Sequence, residues 1–334
     1  MGPTHHKNRI ITLSVIGGVI VTLLGLFLSG SLAIEAGKTS AMSSKEYSEK
    51  EIQDNNRFWD DEGKQGSAKP VGPQITPGAE APSGQNYRPP STVQAALVDG
   101  PYSDPDKAIR GKIFFEVPGG VAECSGTVVH HPSGNMVWTA AHCLHGGKGA
   151  DFYTRVTFIP GYNGAGATRA EREPYGRWPA RQVEVSDQWV KDADPERDSI
   201  ASPFDFGAFL VQPPAGKKSL EDTLGSSAEI LFNAPRGLDV ESYGYPGEPP
   251  FDGREMYSCS SPTTDFRNTG WPRPDMLWMG CTMTGGSSGG GWFAEVNGKR
   301  YLVSNVSLGI TLTAAKTMTG PYLGNVAQQL YGRF

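Results

Sequence analysis

The sequence predicts an all-β protein, a barrel or sandwich of short strands, and three observations point there. Gly (43) and Pro (26) are abundant across the 334 residues, which sets turns close together. Only 19% of residues are charged, a composition that suits short strands better than a helical bundle or coiled coil. From about Lys107 onward the apolar runs are short and bounded by Gly, Pro, Asn or Asp, and no repeat of about 20–50 residues signals a solenoid or propeller. A chain of this length can bury a substantial core.

Taken in order, residues 1–36 differ from everything after them. His5, His6, Lys7 and Arg9 make a polar, basic start, and Ile10–Leu28 then run without a charge. That pattern is an export signal. The run is also long enough to span a bilayer, and Ser31-Leu32-Ala33 is only a fair small-residue cleavage site. A cleaved signal and a retained membrane anchor through residues 10–28 both stay open. In either case the rest of the chain is delivered outside the cytoplasm, secreted or held on the outer face of the membrane.

Residues 37–106 read as a pro-segment or linker, largely without structure. Ser44–Lys64 is charge-rich and could form one helix carrying Tyr47, Ile52, Phe58 and Trp59. From Gly66 to Pro105 prolines recur at 70, 73, 77, 82, 89, 90, 101 and 105 with little apolar periodicity, as in a spacer. Residues 107–334 form the folded domain. Its expected strands are 112–117, 126–130, 136–140, 155–160, 182–185 and 206–211, then 230–232, 239–245, 276–283, 291–296 and 301–306. A helical pattern closes it over Asn325–Tyr331.

The net charge of -5 lacks the field that gathers phosphates, so no nucleic-acid partner is expected. Four cysteines in an exported chain are more readily paired than free. Cys124, Cys143, Cys259 and Cys281 allow three connectivities. Metal ligation is the weaker reading, because no C-x-x-C spacing exists and His145 is the only histidine close behind a cysteine. No metal or organic cofactor is expected.

Three segments share one chemical logic. Trp138-Thr-Ala-Ala-His142-Cys143 ends an apolar strand in a histidine, Asp205 opens the apolar run Phe206–Val211, and Ser288 sits in the glycine loop Thr284-Gly-Gly-Ser-Ser-Gly-Gly-Gly-Trp292. Serine is a poor nucleophile at its free pKa and needs a histidine base, which in turn needs a carboxylate to fix its tautomer. The glycines allow backbone N–H groups to converge on a developing oxyanion. Singly, each segment has a bland reading as a surface histidine, a strand cap and a flexible turn. The order His, Asp, Ser is what makes the set specific.

On these residues the stretch 107–334 resembles the trypsin-like serine peptidases of chymotrypsin fold, in particular the secreted bacterial branch that includes the glutamyl endopeptidases. T-A-A-H-C stands unchanged as Thr139–Cys143, and the upstream C-[SG]-G element is Cys124-Ser125-Gly126. G-D-S-G-G appears as Gly286-Ser287-Ser288-Gly289-Gly290, and V-S-W-G as Val306-Ser307-Leu308-Gly309.

The resemblance implies two packed antiparallel barrels of about six strands each and a C-terminal helix. It implies Ser288 as nucleophile, His142 as general base then acid, and Asp205 as orienter, with Asp198 the rival carboxylate. It places the oxyanion hole at the N–H groups of Gly286 and Ser288, the disulfides at Cys124–Cys143 and Cys259–Cys281, and the substrate pocket at Thr282, Ser307 and Gly309. The implied protein is a monomeric endopeptidase acting on polypeptides through an acyl-enzyme. An idle binding or scaffold module of the same fold, and an esterase with the same triad, are the alternatives.

Two departures matter. Ser287 replaces the aspartate that pairs with a newly cut N-terminus in pancreatic-type enzymes, so that switch cannot operate here. Val306 stands where the glutamyl branch carries a histidine. Asn305-Val306-Ser307 also spells a glycosylation triplet, on a strand where occupancy is not expected. Trp178, Trp189 and Trp271 are read as packing residues.

The pocket offers neutral hydroxyls and no fixed charge, so a Lys or Arg side chain would be desolvated without a counter-ion. Cleavage after Leu or Glu should therefore exceed cleavage after Arg by at least about tenfold in kcat/KM, roughly 1.4 kcal/mol of transition-state binding. Matched peptides decide it, and a preference for Arg would mean that a carboxylate such as Glu295 or Asp275 reaches the pocket.

Overall fold

A computed structural model describes residues 42–72, 74–75, 89–194, 199–268, 270–312 and 315–334. The apolar run expected as signal or anchor and the rival carboxylate Asp198 lie outside the described residues.

Ahead of the domain come four short strands, β1 (Met42–Glu46), β2 (Lys69–Pro70), β3 (Gln74–Ile75) and β4 (Ala96–Leu97). The first half of the domain contributes β5 (Arg110–Val117), β6 (Gly120–Val129), β7 (Met136–Thr139), β8 (Thr154–Pro160), β9 (Trp178–Ser186) and β10 (Gly207–Val211). These pair in the order β9-β10-β7-β6-β5-β8, and Thr157–Pro179 and Phe158–Trp178 pairings return β8 to β9, closing a six-stranded barrel. Ile113, Phe115, Val128, Val137, Phe158, Val183 and Phe209 fill it and are fully buried, as β-branched and aromatic side chains on a closed sheet require.

The second half supplies β11 (Asp239–Gly244), β12 (Tyr257–Pro262), β13 (Thr264–Phe266), β14 (Met276–Gly280), β15 (Gly291–Val296), β16 (Lys299–Asn305), β17 (Leu308–Thr311) and β18 (Lys316–Gly320). They lie in two sheets, β16-β15-β11-β12-β4 and β13-β14-β18-β17-β3. One core that includes Val240, Met279, Trp292, Val303 and Met318 is shared by both. The Cys259–Cys281 disulfide joins β12 of one sheet to the end of β14 in the other. The fold class is thus the one the sequence predicts. Ile230–Phe232 does not form a strand and makes only an isolated bridge from Ile230 to Leu302, while β12, β13, β17 and β18 are not among the expected runs. The C-terminal helix Asn325–Tyr331 falls where its pattern places it and buries Ala327 and Leu330.

The expectation of a largely structureless 37–106 does not hold for its described part. In place of one helix over 44–64, β1 pairs antiparallel with β9. Ser48 then caps a helix over Glu49–Phe58 through a reciprocal bond with Glu51, and Asp61 caps a shorter helix, Glu62–Gly66. Trp59 is completely buried against Phe114, its Nε1 donating 2.7 Å to the Arg155 carbonyl. The Asn55 amide donates 2.8 Å to the Val156 carbonyl. Burying a tryptophan and a helix face offsets the ordering entropy that a polar spacer could not. Further on, β4 adds an edge strand to β12.

Lys112 and Glu123 form a buried ion pair, 2.7 Å apart, and Lys112 also donates to the Gly253 carbonyl of the second half. Burial pushes the lysine pKa down and the glutamate pKa up, and each charge opposes the other's shift. Lys112→Met should cost about 3–5 kcal/mol in urea unfolding by stranding a buried carboxylate, and Lys112→Met with Glu123→Leu should recover most of that loss. A single variant as stable as the parent would show that the pair is not shielded from water.

Candidate active site

Strand pairing brings the histidine and the aspartate together. Antiparallel β10 and β7 meet with Gly207 opposite Thr139, so the turn that ends β7 and the turn that precedes β10 lie at one end of the barrel. His142 sits in the first, a 3₁₀ turn over Ala141–Cys143, and Asp205 directly follows the second, over Ser202–Phe204. His142 Nδ1 lies 2.8 Å from Asp205 Oδ2, and the His142 backbone N–H donates 3.0 Å to Oδ1. Both side chains have no exposed surface. Cys143 is bonded to Cys124 of β6, which braces the histidine turn.

Ser288 arrives from the other half, in the loop between β14 and β15. The Ser125 N–H donates 2.7 Å to its carbonyl, seating that loop on β6. Two glycines permit the approach. At Gly286 (φ +94°) a Cβ would lie 2.5 Å from the Tyr245 carbonyl, and at Gly289 (φ +79°) 2.5 Å from that of Ser125. Ser287 is buried, and its hydroxyl donates 2.7 Å to the Thr284 carbonyl, which closes the turn locally where an aspartate would need a distant ammonium. Among the described residues neither the Gly286 nor the Ser288 N–H has a backbone acceptor.

The pocket expectation needs correction at Ser307. Its hydroxyl donates 2.6 Å to Asp205 Oδ2, because β16 and the turn into β17 run against the barrel opening, and a buried carboxylate draws every donor in reach. Thr282 Oγ1 accepts 2.9 Å from the Ala95 N–H, so it faces the 91–95 stretch. At Gly309 a Cβ would meet nothing within 4 Å, so there is side-chain space above that residue, while its backbone edge is paired with Gln74 of β3.

Asn305 was not anticipated at the site. It is fully buried, which withdraws its glycosylation triplet from modification. Its Nδ2 donates 3.1 Å to the Asp205 carbonyl while its Oδ1 accepts 3.1 Å from Trp138 Nε1. The signal for it is an amide, next to Ser304, inside the mainly apolar run Tyr301–Val306, since buried polar groups are retained where they are bonded.

Two further placements bear on chemistry. Cys124, His142 and Cys143 are the one cluster among the described residues spaced to hold a metal, and the disulfide occupies both sulfurs. His145 is buried, accepts 3.0 Å from the Gly147 N–H and meets Phe152 edge-on. Trp178 and Trp189 are buried, and Trp189 donates 3.0 Å to the His145 carbonyl. Finally, Gly72 lies over His142 and Ser288. A Cβ there would be 2.7 Å from His142 Nε2 and 3.1 Å from Ser288 Oγ, so the two atoms face a common point.

No protein-family model and no curated protein matches the chain. Solved structures do. The chain is similar to the thermostable serine protease AL20 from an extremophilic microorganism, with 33% identity over 68% of this chain and 96% of that one, TM-score 0.57. The protease Anisep from Arthrobacter nicotinovorans gives 34% identity over 67% and 94%, TM-score 0.55. A Glu endopeptidase in complex with MPD shares the fold at 16% identity over 72% and 96%, TM-score 0.52.

Asn305→Leu strands the Trp138 N–H and one bond of the Asp205 carbonyl, and should lower unfolding free energy by about 1–3 kcal/mol. Chemical denaturation with intact disulfides measures it. A loss below about 0.5 kcal/mol would mean that water takes over both groups.

Proposed function

Because the chain belongs to the trypsin-like serine peptidases of chymotrypsin fold, we propose that it is an exported endopeptidase that cleaves polypeptides through an acyl-enzyme at Ser288. The observation that carries this reading is the convergence of Ser288 Oγ and His142 Nε2 on one point, with Asp205 bonded to the far side of the imidazole. His142 takes the Ser288 proton as Oγ attacks the scissile carbonyl, and the N–H groups of Gly286 and Ser288 receive the oxyanion. The imidazolium, stabilised by Asp205, gives that proton to the departing amine. Water then enters, loses a proton to His142 as it attacks the acyl carbon, and the imidazolium returns that proton to Ser288 Oγ as the acyl–oxygen bond breaks, restoring both side chains.

Ser307 and the His142 backbone N–H keep the carboxylate aimed, so the imidazole holds the tautomer with its proton on Nδ1. Export is supported by the basic start and apolar run of residues 1–36 and by two disulfides, which persist in oxidising compartments. Among the described residues no helix is long and apolar enough to cross a membrane. The polypeptide is the sole partner this reading requires.

In a preparation that turns over a peptide substrate, Ser288→Ala and His142→Ala should each lower kcat by on the order of 10⁶, and Ser287→Ala should retain most activity. A dead Ser287→Ala beside an active Ser288→Ala would move the nucleophile by one residue.

A further inference from the structure

The chain supplies an occupant for its own cleft. Resting on the peptidase reading above, we infer that the stretch described by residues 69–72 and 74–75 is a built-in inhibitor laid through the cleft in the direction opposite to a substrate. Two strand edges hold it. Lys69 and Pro70 pair in parallel with Ala122 and Glu123 of β6, and Gln74 and Ile75 pair in parallel with Gly309 and Ile310 of β17. Between these pairings Gly72 crosses the triad with φ +136°, a conformation and a closeness that suit glycine alone. His142 Nε2 beneath it is buried and has no hydrogen-bond partner among the described residues.

The direction follows from the chemistry. The departing amine must take its proton from His142, whose neighbour Cys143 is bonded to Cys124, next to Ala122 and Glu123. The leaving, C-terminal half of a substrate therefore lies toward β6, and its acyl, N-terminal half lies over the Ser307–Gly309 edge. A substrate thus runs from β17 to β6 and this stretch runs from β6 to β17. A chain crossing the same edges in the substrate sense would pair antiparallel with both, where this one pairs parallel with both. In a reversed strand each peptide group exchanges its C=O and N–H positions. No carbonyl then meets Ser288 with its nitrogen turned toward His142, and the segment occupies the cleft uncut.

Its anchorage is built in. β1, the helix Glu49–Phe58 and buried Trp59 dock the preceding stretch on the barrel, so the tethered strand meets the cleft at an effective concentration on the order of millimolar or above. Removal of this segment is the activation step that the missing aspartate at Ser287 leaves to another device.

Gly72→Val and Val71→Asp test it in the full chain. In a Ser288→Ala background, where no chemistry occurs, amide exchange over residues 120–124 and 308–311 should rise at least about tenfold for Gly72→Val, through the backbone strain a β-branched residue meets at positive φ. Val71→Asp should act in the same direction, and unchanged exchange in both overturns the inference. With Ser288 intact, both variants should react with a serine-directed phosphonate faster than the parent chain. A synthetic peptide of residues 69–75 should slow the Gly72→Val reaction and be recovered whole. Labelling of the parent as fast as the variants, or cleavage of the peptide, overturns inhibition. If exchange rises and no form labels, the nucleophile assignment falls and the inhibitory role with it. Unchanged exchange with labelling in every form refutes the inhibitor and leaves the peptidase reading standing.

Discussion

A carboxylate with no exposed surface organises this molecule. Asp205 is taken wholly out of water, which costs several kcal/mol unless each lone pair finds a donor. Two donors come from its own barrel, the His142 backbone N–H and Nδ1. The third, the Ser307 hydroxyl, comes from the other half, as does the Asn305 amide that holds the Asp205 carbonyl. The charge therefore requires the two halves to meet in one arrangement. Asn305 extends the requirement into the first barrel's core, because the same side chain satisfies Trp138.

The serine loop answers a second constraint, backbone crowding. Ser288 reaches the histidine only because its loop presses into the Ser125 and Tyr245 backbones, where Gly286 and Gly289 leave no room for side chains. Ser287 closes the turn from inside the loop, so the geometry does not wait on a distant charge. In enzymes where an aspartate occupies that position, order in the loop and removal of the leading segment are coupled. Here the loop is held by its own hydroxyl, so its order does not call for a new N-terminus.

The leading segment shows how a polar, proline-rich stretch becomes part of a fold. Its composition resembles a spacer, yet Trp59, Ile52 and Asn55 give it a buried face, and three two-residue backbone ladders, two of them parallel, take up its later residues. Parallel pairing of two residues at a time has no side-chain period, so composition and hydropathy carry no trace of it. The sequence reading also missed β12 and β18, because Tyr-Ser-Cys-Ser-Ser-Pro and Lys-Thr-Met-Thr-Gly lack the contiguous apolar run that marked β5 or β7.

By itself the sequence determined the chemical inventory: a histidine locked beside a cysteine, an aspartate ahead of an apolar strand, a serine among glycines, and the order in which they come. It also determined most barrel strands and the closing helix, since each is encoded in residues near one another. Tertiary structure alone decided which donors each acceptor receives. Ser307 is chemically as fit to line a pocket as to hold a carboxylate, and 102 residues separate it from Asp205. Gly72 stands 70 residues from His142 in the sequence and directly over it in the fold. Local spacing specifies which groups exist, whereas a hydrogen bond or a close backbone crossing between distant segments depends on how strands pair and turn, and that is set by the packing of the whole core.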